Sequence, residues 1–244
     1  IALSSMFEED ASGGLDNMGS DDFAMPFLRV LGQLSPEINK RDAKYVEGAE
    51  AGMIFNTVTK QTYDGEKGVN VLPCGYKREY VEWSDRGEGT SAPVAIHSVA
   101  SGIIKDTTRG ADWKDRLPNG NYLENTASYF VMLEDMTQAL ITMKSTQLNV
   151  SKKWNSMMKT IQIPDGKGGF AIPPMHGVVY NLASTLQKND KGSWYGWVVT
   201  QDRILEQKDK SLYLSAKEFG GNVSKGNVQT KADVEEKVSD STPY

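Results

Sequence analysis

The apolar spacing changes from two to about 3.6 residues within 139–161, ALITMKSTQLNVSKKWNSMMKTI. Ile141 and Met143 alternate with Leu140, Thr142 and Lys144, which is the pattern of a strand. From Ser145 or Thr146, either suited to an N-cap, the residues Val150, Trp154, Met157, Met158 and Ile161 fall on one helical stripe. Lys152, Ser156 and Lys159 lie opposite, with Lys153 between. The chain is therefore expected to pass from a strand into an amphipathic helix, apolar beneath and basic above.

The flanking pattern is mostly β. MPFLRVLGQLSPEI (25–38) is the first ordered piece; Phe27, Val30, Leu31 and Leu34 would share a helical face, while Pro26 and Pro36 also fit a strand. Met53, Phe55, Val58 and Tyr63 read as a strand and DGEKG (64–68) as a turn. A long strand then runs from Val69 to Trp83, with Pro73 and Gly75 marking a bulge or a barrel-corner bend. Residues 84–126 are turn-rich and polar, a long loop or insertion. NTASYFVMLED (125–135) is a further strand, and residues 163–174 form a loop or small flap. Residues 177–205 form a hairpin turning at 189–192, and 211–221 a short helix with Gly220 as C-cap.

That order predicts a mainly β fold, an OB-like barrel with one helix between its third and fourth principal strands and a short C-terminal helix. A barrel or sandwich of other topology fits the same pattern. One domain, 25–221 with its insertion at 84–126, is expected between a disordered acidic arm (1–24) and a flexible acidic tail (222–244).

Charge is unevenly spread along the 244 residues. Residues 1–25 carry six acids and no base, and residues 226–244 carry four acids and two lysines, so a net charge of −5 leaves the middle at +3. No apolar run approaches the ~18 residues of a membrane span. The opening IALSSMFEEDASGG lacks the apolar stretch of a secretory signal. A single cysteine, Cys74, excludes an internal disulfide framework and fits a reducing compartment. There is no phosphate-loop motif, no G-x-S-x-G, and no metal-ligand spacing between His97 and His176. Neither an enzyme nor a cofactor is expected.

What the pattern does offer is rings interleaved with cations. Tyr76, Arg78 and Tyr80 project from one strand face at period two, with Lys77 on the other face and Trp83 beyond. Rings flanking a guanidinium suit unpaired bases and a phosphate. Trp194, Tyr195 and Trp197 form a second group, in which Gly196 would leave room beside Trp194 for a flat base. Lys144, Lys152, Lys153 and Lys159 add charge at the strand–helix junction. The bland alternatives are cross-strand aromatics, core tryptophans and a solvated helix face.

The end of the chain, with Asp240 followed by Pro243 and Tyr244, resembles the tail tip of bacterial and phage single-stranded DNA-binding proteins. That resemblance implies recruitment of replication or recombination partners through the tip. DDFAMPFLRVLGQLSPEI, GMIFNTVT, YDGEKGVNVLP, YKREYVEW and SKKWNS resemble a family of poorly characterised tailed-bacteriophage proteins. Together they imply a phage protein of the host cytoplasm that binds single-stranded DNA in replication or recombination. It is not expected to meet a membrane, and a homo-oligomer is compatible with the same pattern. The alternative is a virion structural protein, a decoration, neck or tail component.

Overall fold

The computed structural model describes residues 25–85, 93–190 and 192–228. The acidic arm (1–24) and the tail tip with Asp240, Pro243 and Tyr244 lie outside them. Chain order is β1 (Leu28–Val30), β2 (Ile54–Asn56), β3 (Thr62–Tyr63), β4 (Val69–Trp83), β5 (Ala95–Ser98), β6 (Thr108–Arg109), β7 (Asp115–Arg116), β8 (Tyr122–Leu133) and β9 (Gln138–Lys144). Then come helix α1 (Leu148–Thr160), β10 (Ile163–Pro164), β11 (Phe170–Ala171), β12 (Val178–Asn189), β13 (Gly192–Ile204) and helix α2 (Lys210–Ser224).

The fold is mainly β, built on a curled antiparallel half-barrel. Its strands run β13-β12-β4-β8-β7-β6, with β5 also on β4 and β9 also on β8. β4 is long enough to serve three neighbours. Val69–Val71 pairs with β12, the far end pairs with β5, and β8 runs along the opposite edge. The expected irregularity is present, as the β4–β8 register shifts between Pro73 and Gly75.

Consecutive residues of a strand face opposite ways, and here both faces are covered. Tyr129 of β8 packs with Trp154 of α1, whereas its neighbour Phe130 packs with Phe219 of α2. Two apolar clusters result, one on each side of the sheet. The α1 side also takes Leu28 of β1 and Ile54 of β2, from a small three-stranded sheet. The stripe read from the sequence is the one buried: Val150, Met157, Met158 and Ile161 pack around Trp154 against the sheet.

Several expectations are corrected. α1 has no side-chain N-cap; Ser145 and Thr146 lie in a 3-10 turn, with Ser145 at φ +50°, that carries the chain out of β9. Of the two readings of residues 25–38, the strand is the one found, as β1 followed by a 3-10 turn at Pro36–Ile38, and the helical face is not. Within 84–126 the described part contains β5, β6 and β7, and β8 starts at Tyr122. Gly220 is not a C-cap, because α2 continues to Ser224. It sits inside the helix at the point of closest approach to the β4 bulge, where an added Cβ would meet the Cys74 carbonyl oxygen at 2.6 Å. Gly75 serves the same contact from below: a Cβ there would lie 2.7 Å from Val223 Cγ1.

Candidate nucleic-acid interface

Tyr76 heads a line of four rings that runs from the surface into the core. The residue is 38 % exposed, and its ring lies 5.0 Å from that of Tyr129, which stacks at 4.2 Å on Trp154. Trp154 meets Tyr180 edge-on at 5.7 Å. Tyr129 is pinned from α1: its hydroxyl lies 2.7 Å from Ser151 Oγ and donates to Asn155 Oδ1 at 2.9 Å. Burial raises its pKa well above the ordinary phenol value. The surface ring therefore rests on a fixed, interior support.

Arg78 follows on the same face, two residues along. It is exposed, and its Nε donates to Asn125 Oδ1 at 3.0 Å, a neutral acceptor. Among the described residues it makes no ion pair. Asn155 carries the site onto α1. Lys152 and Lys159, three residues before and four after it, share that side of the helix. Both are exposed, as is Lys153, and none has an ion pair among the described residues. Tyr76 is thus linked through Tyr129 to Asn155 of the helix that carries Lys152 and Lys159, and Arg78 lies two residues from Tyr76 on the same strand face.

The other expected residues are placed elsewhere. Tyr80 is only 9 % exposed and offers no open ring face. Lys77 and Trp83 point to the opposite side of the sheet, where the Lys77 ammonium lies 5.3 Å from the Phe130 ring centroid. Lys144, on that side too, is 3.2 Å from a Glu124 carboxylate oxygen. Trp197 is 4 % exposed and belongs to the core, and its backbone N–H donates to Gln147 Oε1 at 2.9 Å. Trp194 and Tyr195 are half-buried; Tyr195 packs over Gly52, where a Cβ would sit 2.7 Å from its ring. The space expected beside Trp194 is filled, since the side-chain amides of Gln147 and Gln187 occupy the position a Cβ on Gly196 would take.

Sequence reasoning missed Ser151, Asn155 and Tyr129. The signal was present: Ser151 and Asn155 interrupt the apolar side of α1 at i and i+4, spacing that puts two polar groups over one buried partner. It also missed the partners of His97. Its Nε2 lies 2.7 Å from Glu82 Oε2, while Asn121 and Asn119 amides donate to Oε1 at 2.6 and 3.1 Å. Donation from Asn121, working against burial and with help from His97 and Asn119, holds the Glu82 pKa below the usual carboxylate value. With three contacts already made, this carboxylate serves to tie β4, β5 and the 117–121 loop together.

Among the described residues no helix is long and apolar enough to cross a membrane. No curated protein and no solved structure matches the chain. A family model described as Pam3 phage gp34-like protein matches residues 2–229, nearly the whole length. The chain is thus a bacteriophage protein, and it belongs to the Pam3 phage gp34-like family.

Proposed function

We propose that this phage protein binds single-stranded DNA, on an OB-like barrel, during replication or recombination. Support for the barrel comes from strand order. β13-β12-β4-β8-β9, with α1 between β9 and β12, runs from the fifth principal strand to the third and keeps a bulged first strand between two neighbours. Fold alone assigns no function, so the reading rests on the site.

The observation that carries it is Tyr76, an exposed ring backed by buried Tyr129 and Trp154 and flanked by Arg78, which pairs with no carboxylate among the described residues. A base stacks on Tyr76, and the backbone passes Arg78, Lys152 and Lys159. No bond is made or broken; the protein holds the strand extended. One base–aromatic stack contributes roughly 1–3 kcal/mol and reads no sequence. The tail tip, Asp240, Pro243 and Tyr244, would then recruit partner proteins.

Fluorescence anisotropy with labelled oligo-dT tests this. Three phosphate contacts give a slope of about −2 in log K against log salt, and Arg78→Ala removes about 0.7 of it. Tyr76→Ala weakens binding roughly 5- to 100-fold. No binding at low salt removes the proposal. A virion component is the second reading, favoured by β5, an edge strand whose neighbours Val94 and Val99 and own Ile96 are exposed and apolar. Stoichiometric copies in purified virions would decide for it.

A further inference from the structure

The segment that leaves the C-terminal end of α1 folds back on itself as a two-stranded hairpin, β10 with β11. Its turn is tightly held. Asp165 Oδ1 accepts the N–H groups of Lys167 and Gly169 at 2.8 and 2.9 Å, and the Asp165 N–H donates to the Gly169 carbonyl at 3.0 Å. Those donations, Lys167 first, keep the Asp165 carboxyl ionised to lower pH than usual. Gly166 and Gly168, at φ +72° and +89°, supply the left-handed corners.

This small rigid turn presents two unspent groups. Phe170 is 70 % exposed and belongs to none of the three apolar clusters. Lys167, at the tip, is exposed and has no ion pair among the described residues. A phenyl ring left in water on a two-residue ladder adds nothing to stability, since an isolated hairpin is marginal without a face to bury. A ring and a cation three residues apart on one hairpin repeat the pairing of residue types seen at Tyr76 and Arg78.

Chain geometry sets how far apart the two pairs stand. From Asn155 to Thr160 the helix rises ~8 Å. From Thr160 to Pro164 the chain spans at most ~13 Å. Phe170 faces Pro164 across the ladder, a further ~5 Å. With the 5.0 Å from the Tyr76 ring to Tyr129, the 2.9 Å from the Tyr129 hydroxyl to Asn155 and the side chains themselves included, the two rings stand at most about 45 Å apart, or roughly seven to thirteen nucleotides at ~3.4 Å each when stacked and about twice that when extended. That falls within the ~4–16 nucleotides an OB-type groove occupies.

We propose that the β10–β11 hairpin is a second contact for the same single strand, with Phe170 stacking on a base and Lys167 meeting a phosphate. This rests on the single-strand binding proposed above. The hairpin adds nothing for an oligonucleotide too short to span the two rings. The test measures anisotropy of the full chain and of Phe170→Ala with labelled dT3 and dT12. Expected is a roughly 5- to 100-fold loss on dT12 with dT3 affinity unchanged. Unchanged affinity for both lengths, or the same loss on both, overturns the inference while leaving Tyr76 as the binding ring. If the unsubstituted chain binds neither oligonucleotide, single-strand binding itself fails. If Phe170→Ala spares dT12 affinity but converts an oligomer to monomer in sedimentation, the hairpin joins copies of the chain and the inference is overturned.

Discussion

Gly220 and Gly221 stand next to each other in α2, yet alanine should act on them in opposite directions. In a helix interior, glycine to alanine ordinarily gains about 1 kcal/mol. At Gly221 an added Cβ meets nothing within 4 Å, so that gain is kept. At Gly220 it arrives 2.6 Å from the Cys74 carbonyl oxygen. That atom belongs to a paired strand at its bulge and cannot swing aside as a side chain would. Relief requires α2 to lift, loosening Phe219 and Val223 from the sheet. Overpacking of this kind costs ~1–3 kcal/mol, and against backbone the upper half of that range applies. After the helix gain the net loss is about 1–2 kcal/mol. For a domain near 200 residues this lowers Tm by ~2–8 °C, whereas Gly221→Ala raises it by up to ~4 °C. Thermal unfolding followed by circular dichroism on the two variants measures both. If the two shifts share a sign, the close approach of α2 to the bulge is wrong.

Two further outcomes follow from the buried polar groups. Glu82, with its folded pKa depressed, contributes stability that is present above its unfolded pKa, ~4.3, and lost as pH falls through the lower folded value. Glu82→Gln should flatten that part of the acid unfolding profile, and an unchanged profile would count against the cluster. Burial pushes the Cys74 thiol up to about 12, so iodoacetamide should label it only in denaturant; labelling of the native chain at pH 8 would contradict its placement beneath α2.

Local pattern carried much of this architecture. The α1 stripe, the bulge between Pro73 and Gly75 and the hairpin of β12 and β13 were all legible, because each is written in residues close together in sequence. What escaped depends on remote partners. Gly220 has the look of a helix stop, and only the bulged strand some 145 residues earlier gives the glycine its use inside α2. Gly196 suggests an opening, until Gln147 arrives from the turn before α1 and, with Gln187 of the neighbouring strand, fills it. At the site, Tyr76, Arg78 and Tyr80 alternate as expected, but alternation does not say how far along a strand the covering layer extends. It leaves Tyr76 open and closes over Tyr80.

The two-sided pairing of β4 also dictates a timetable. Its first neighbour, β8, is made within some fifty residues, but Asn181 reaches back 114 residues to the Lys67 carbonyl where β12 joins. Until β12 has left the ribosome, the border of β4 at Val69–Val71 lacks its partner, with two valines beside it. Closure of so distant a ladder is slow. The nascent chain is at its most adhesive in that interval, and infected cells making the protein quickly would meet the hazard first.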